Sequence, residues 1–272
     1  WTWKWSGTSS NPVYVGVDSG WYSGSAWSRP VLTQDNPLSP VLLSSCTYDD
    51  STREAVTLSG RYIVFDNFEF TGKCWSGTTD GPSSPGSLDI RNATYSTLEH
   101  NYFHGWSSTI GSYDSNYSIV GTAENVATHN AISYNVFDGS DAMHGTTTAS
   151  NQCGTKTFNG PPCQSGFAIY GDGYQLDHNV FRYLSNGIIG NNYYTIHDNL
   201  FEYMWNTYDG WNHPNIVESG LTALTGTPTY FYNNVIANTH QNVGVWIIYD
   251  TAGYIFNNAW YYNDDGASGV VV

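Results

Sequence analysis

The sequence predicts an all-β chain wound into a solenoid of stacked coils, and its composition and a recurring phrase carry that expectation. Only 11% of the 272 residues are charged while 16% are aromatic, and Gly, Ser, Thr, Asn, Tyr and Trp fill the gap. That mixture favours strands and turns over helices. The hydrophobic share, 40%, is enough for a sizeable core and excludes disorder.

The phrase runs apolar, two variable residues, Asn, apolar, then usually a bulky apolar residue. It is written as Val64-Phe-Asp-Asn67-Phe, Leu98-Glu-His-Asn101-Tyr-Phe103, Ile132-Ser-Tyr-Asn135-Val-Phe137 and Leu176-Asp-His-Asn179-Val-Phe181. It returns as Ile196-His-Asp-Asn199-Leu-Phe201, Phe231-Tyr-Asn-Asn234-Val-Ile236 and Ile255-Phe-Asn-Asn258-Ala-Trp260. The first copy is imperfect, with Glu69 at the final position and Phe70 one place later. The Asn-to-Asn intervals are 34, 34, 44, 20, 35 and 24. A constant phrase at variable spacing is what a coil of fixed shape with loops of variable length would write. Asn tolerates a left-handed bend, and its amide can bond the Asn one coil above or below. These asparagines are therefore turn and ladder residues rather than ligands.

Each phrase covers the end of one strand, the bend and the start of the next. A further strand lies upstream, at Val56-Thr-Leu58, Leu88-Asp-Ile90, Ser118-Ile-Val120, Phe167-Ala-Ile-Tyr170, Gly187-Ile-Ile-Gly190, Asn215-Ile-Val-Glu218 and Val245-Trp-Ile-Ile-Tyr249. Over roughly residues 55–272 this pattern resembles the right-handed parallel β-helix superfamily, the architecture of pectate lyases, polygalacturonases and phage tailspikes. The resemblance implies about eight or nine coils, on the order of 40 Å of stack at the spacing of parallel strands. It also implies that the upstream strands form the sheet that holds substrate. Val13-Tyr-Val-Gly-Val17 and Trp27-Ser-Arg-Pro-Val31 supply the first coils. No linker divides the chain, so residues 1–272 are expected to form a single domain. A start at Trp1 without Met, and an end at Val272 in apparent mid-strand, suggest a mature or trimmed fragment.

The formal charge of −15 repels nucleic acid phosphates and anionic membranes. No run of about 18 apolar residues spans a membrane. The cysteines fall into two local pairs, Cys46 with Cys74 and Cys153 with Cys163, the latter bracketing a Gly/Pro-rich stretch. Two disulfides and a secreted or extracytoplasmic location follow; no close CxxC spacing suggests zinc.

Long loops on a rigid scaffold carry function, and a neutral sugar packs its C–H face on aromatic rings. Trp106, Trp205, Tyr208, Trp211 and Trp246 therefore read as a platform for an extended polysaccharide, with Arg182 and His144 beside it. Glycoside hydrolysis needs two carboxyl groups about 5–9.5 Å apart, a range that neighbouring rungs supply. Glu218 paired with Asp209 or Asp172 is expected to serve as acid and base, with His213 orienting one of them. A calcium-assisted polysaccharide lyase is the alternative: Asp138 and Asp141 would hold Ca2+, the one cofactor in view, and Arg182 would act as base. A non-catalytic glycan-binding adhesin or filament protein is the rival from another class.

Overall fold

The computed structural model describes residues 1–21, 28–33, 55–75, 85–108, 118–123, 126–140, 143–144, 164–190, 194–204, 215–219, 228–239, 244–247, 253–261 and 270–271. Their fold is a right-handed parallel β-helix. The chain visits three long sheets in turn, and a short parallel one joins Cys74–Trp75, Ser107–Ser108 and Met143–His144. The first contains, in spatial order, Thr2–Trp3, Val56–Leu58, Pro85–Asp89, Ser118–Gly121, Gln164–Tyr170, Leu184–Gly190, Asn215–Ser219, Gly244–Ile247 and Val270–Val271. The second contains Val13–Gly16, Ile63–Asp66, Thr97–Glu99, Asn130–Ser133, Tyr174–Asp177, Thr195–His197, Thr229–Tyr232 and Gly253–Phe256. The third runs from Val31–Thr33 through Glu69–Thr71, Tyr102–His104, Val136–Asp138, Val180–Arg182, Leu200–Glu202 and Val235–Ala237 to Ala259–Tyr261. Every upstream strand expected from the sequence falls in the first sheet. Eight strands in each of the other two match the expected coil count.

One apolar core fills the tube. The first sheet turns inward Val56, Leu88, Val120, Ile169, Ile188, Val217 and Val245; the second turns inward Phe65, Leu98, Ile132, Leu176, Ile196 and Phe231. The third contributes a column of rings, Phe70, Phe103, Phe137, Phe181 and Phe201, with successive centroids 4.8, 4.9, 4.9 and 4.8 Å apart. That spacing is the strand spacing, because in-register parallel pairing puts like residues over like. The apolar phrase positions repeat for this reason.

The bend between second and third sheets holds buried asparagines. Asn101, Asn135, Asn179, Asn199 and Asn234 each donate from Nδ2 to the Oδ1 of the next asparagine, ending at Asn258, over 3.0–3.1 Å. Each backbone N–H reaches the same oxygen at 2.8–3.0 Å. Two expectations need correction. The left-handed residue is not the rung asparagine but the one before it: His100, Tyr134, His178, Asp198, Asn233 and Asn257, with φ between 53° and 58°. That conformation throws its own side chain outward and turns the following amide into the tube. The first phrase is also read one residue early. Phe65 pairs with Leu98 and Asp66 with Glu99, so Asn67 takes the left-handed position (φ 65°) and Phe68 occupies the rung. Phe68 gives its backbone N–H to Asn101 Oδ1 at 2.9 Å and lays its ring on Phe65, 4.5 Å away. The displaced Phe70 of the sequence is therefore in register after all.

The bend between first and second sheets has its own column. Tyr62, Tyr95 and His129 take φ of 53°, 52° and 56°, and their rings stack 5.3 and 4.8 Å apart. Asn130 pairs with Tyr174, so the next position in this column is Gly173, at φ 77°.

Truncating the middle of the phenylalanine column, Phe137→Ala, should destabilise the protein by roughly 3–5 kcal/mol. Chemical denaturation checks this, and a loss below about 1 kcal/mol would contradict a continuous, fully packed column.

Candidate functional site

The outward row of the first sheet carries, in register, Thr57, Asp89, Gly121, Tyr170, Ile189 and Glu218, and Trp246 is the next residue in the pairing. Asp89 is held by Arg91 through two 2.9 Å bonds to its two oxygens. Glu218 is half-buried. A register shift between Asn215 and Val217 lets Asn215, itself 0% exposed, donate from Nδ2 to Glu218 Oε2 at 2.7 Å. The Asn215 Oδ1 is buried without a hydrogen-bond partner. The buried Asn215 amide thus fixes the orientation of the Glu218 carboxylate.

Among the other expected residues, Asp209, His213, Trp205, Tyr208, Trp211, Asp141, Cys46, Cys153 and Cys163 lie outside the described residues. Cys74, His144 and Trp246 lie on described strands, with their side chains outside the description.

Four expectations are corrected by burial and pairing. Asp172 is 0% exposed beneath the bend after the first sheet, where the Tyr194 hydroxyl donates to its Oδ1 at 2.9 Å. It cannot meet a substrate arriving from solvent. Burial, and the nearby Asp172, push the Tyr174 phenol well up. Trp106 is 2% exposed within the core cluster, so it offers no ring to a sugar. Arg182 grips Asp138, with Nη2 at 2.6 Å and Nε at 2.9 Å from the same oxygen. Tyr102 donates to that oxygen at 3.1 Å, and the Ser140 N–H to the other at 2.9 Å. Burial alone would raise the Asp138 carboxyl, but the bonds from Arg182 and Ser140 outweigh it and hold it low. Asp138 raises Arg182 in return, so this guanidinium is no base, and four donors leave Asp138 poorly placed to ligate calcium.

The cluster that the sequence reading passed over sits on the second sheet. Asp66 and Glu99 are direct partners on neighbouring strands. Asp66 accepts from the Tyr14 hydroxyl at 2.6 Å and from Asn67 Nδ2 at 3.2 Å, and lies 2.9 Å from His100 Nδ1. Donor atoms of Asp66, Glu99 and His100 lie within 4.8 Å of one another, close enough to share a cation. Burial, then the Asp66 charge, raises the Glu99 carboxyl. Burial and the bond to Asp66 likewise push the Tyr14 phenol up. Trp21, 69% exposed, meets Tyr14 edge-on with centroids 6.0 Å apart. Two rungs further on, Asp177 takes a 2.7 Å bond from Ser133 and lies 2.9 Å from His178 Nδ1; His197 pairs with Asp198 at 2.8 Å. A legible signal existed: the two variable places of the phrase read Glu99-His100, Asp177-His178 and His197-Asp198.

No protein-family model matches the chain, and neither does any curated protein. Among solved structures, an alginate lyase from Paenibacillus sp. str. FPU-7 aligns over 96% of this chain and 86% of its own, at 10% identity and a TM-score of 0.44. A GH136 lacto-N-biosidase from Eubacterium ramulus aligns over 96% of this chain and 59% of its own, at 11% identity and a TM-score of 0.27. The parallel β-helix assignment stands on the strand register of this chain itself.

The raised Glu99 carboxyl has a consequence for stability. The fold favours its protonated form; that contribution is complete below the ordinary carboxylate range and fades as pH rises through the raised value. Glu99→Gln should therefore increase the melting temperature at pH 7, with the gain vanishing near pH 4. An equal shift at both pH values in calorimetry would rule out the charge-based origin.

Proposed function

We propose that this protein is a secreted polysaccharide-active enzyme that hydrolyses glycosidic bonds in an extended neutral or weakly acidic glycan. The observation that carries this reading is the Asp66–Glu99 pair: two carboxyl groups on adjacent rungs, one raised towards its protonated form and one held by three donors. Hydrolysis needs one carboxylic acid to protonate the leaving oxygen and one carboxylate to attack or to activate water. Glu99 suits the acid and Asp66 the carboxylate. Tyr14 and His100 orient Asp66, and the exposed Trp21 and Tyr14 rings give a sugar a surface to pack on. Divergent environments for two neighbouring carboxyl groups favour an enzyme over an adhesin. The lyase alternative is weakened because Arg182 is tied to Asp138.

A second placement of the same chemistry is favoured by Glu218, fixed by Asn215 on the first sheet. There Asp209 would be the partner carboxylate, His213 would orient it, and Trp205, Tyr208, Trp211 and Trp246 would line the path.

Incubation with a panel of neutral and acidic polysaccharides, scored for new reducing ends and for unsaturated products absorbing in the ultraviolet, tests the reaction class. Glu99→Gln and Asp66→Asn should each lower turnover by a factor of about 100 or more while the fold persists. Full activity in both, with loss in Glu218→Gln, would move the chemistry to the first sheet. Retention of polysaccharide without any cleavage would make the protein a binder.

A further inference from the structure

The ring column Tyr62–Tyr95–His129 stops where Gly173 stands. Gly173 is buried at φ 77°, and a Cβ there would fall 2.0 Å from the Val126 carbonyl oxygen and 2.6 Å from the Thr128 nitrogen. No side chain can continue the column, so the backbone itself keeps the next ring position vacant. Above it lies an open cavity of about 370 Å³, bounded by His129, Ala131, Gly173, Gln175 and Thr195. That volume is at the lower end of the roughly 300–1,000 Å³ of small-ligand sites.

The walls define the guest. Tyr95 covers one face of the exposed His129 ring, 4.8 Å away at 20°, and the other looks into the cavity. Ala131 is the small member of an outward row that runs Thr97, Ala131, Gln175, Thr195, which opens the floor. Gln175 is exposed, with its Nε2 3.2 Å from Asp177 Oδ1 and 3.4 Å from His197 Nε2. This anchoring leaves the Gln175 carbonyl oxygen to accept from hydroxyls, and Thr195 supplies a hydroxyl one rung further on. A ring face opposite neutral hydrogen-bonding groups, with no cationic side chain other than His129 among the described residues of the wall, matches a neutral sugar ring rather than an anion.

We propose that this slot is a subsite for a neutral pyranose unit, which stacks on His129 as the next ring of the column and bonds to Gln175 and Thr195. It lies on the same outward face of the second sheet as Asp66 and Glu99, one to three rungs beyond Glu99. A glycan laid along that face would reach both. The sugar class rests on the proposed glycan activity; the slot rests on the column and on Gly173.

The test titrates cellohexaose, xylohexaose and mannohexaose into the full chain, by calorimetry and by NMR of the histidine ring protons, with the His129 signal assigned through His129→Gln. At least one hexaose should bind and move that signal. His129→Ala, which removes the stacking face, and Ala131→Phe, which fills the slot, should each weaken binding about tenfold, with thermal unfolding confirming the fold. Binding that leaves the His129 signal and both variants' affinities unchanged would overturn the subsite, and so would a wild-type chain that binds none of the three. Glu99→Gln separates the two ideas. Slot binding retained with turnover lost supports both, whereas slot binding retained with full turnover removes the catalytic assignment alone.

Discussion

Everything in this molecule depends on in-register stacking at the spacing of parallel strands. A buried amide is expensive unless satisfied, and here each asparagine is satisfied mainly by the coil above and by backbone carbonyls nearby. A slip of one residue in any coil would strand an amide in an apolar tube and eject a phenylalanine from its column. The hydrogen-bonded rungs and the ring columns therefore enforce the same register. This agreement across levels is what makes one winding the only good solution.

Loops then become cheap to vary. Coil lengths differ because insertions leave at the bends, while the three short strands of each coil remain fixed; the interval of 20 residues between Asn179 and Asn199 approaches the bare coil. Each outward position forms a straight row with a regular rise. Side chains far apart in sequence become neighbours through that rise, as Asp66 and Glu99 do across 33 positions. The fold supplies a ruler, and the chemistry depends on which residues occupy adjacent marks.

The fold was legible in the sequence because its signal repeats: Leu98, Asn101 and Phe103 recur in kind at every later coil. The first copy misled because Asn67 is an asparagine at the wrong place. Only strand pairing, which puts Phe68 opposite Asn101, reveals the offset. The site was far less legible. The strand that carries Glu218 was legible and lies in the first sheet, but Trp106 and Asp172 look like surface residues in sequence and are buried, since burial depends on covering segments that no local pattern encodes. Arg182 looked unengaged because its partner Asp138 is 44 positions away. Asp66, Glu99 and Tyr14 come from three different coils, and burial on the stacked face, then the Asp66 charge, raise the proton affinity of Glu99.

The chain of side-chain amides has a direction. From Asn101 to Asn234 each Nδ2 reaches the Oδ1 of the next asparagine along the stack and also donates to a carbonyl of the preceding coil, while each Oδ1 accepts from the earlier side. Five amide-to-amide contacts thus run in one sense, each polarising its neighbours in a dry environment. Such a column behaves less like separate bonds than like one filament. An interruption at Asn179 would weaken contacts on both sides, whereas one at Asn258 would merely shorten it.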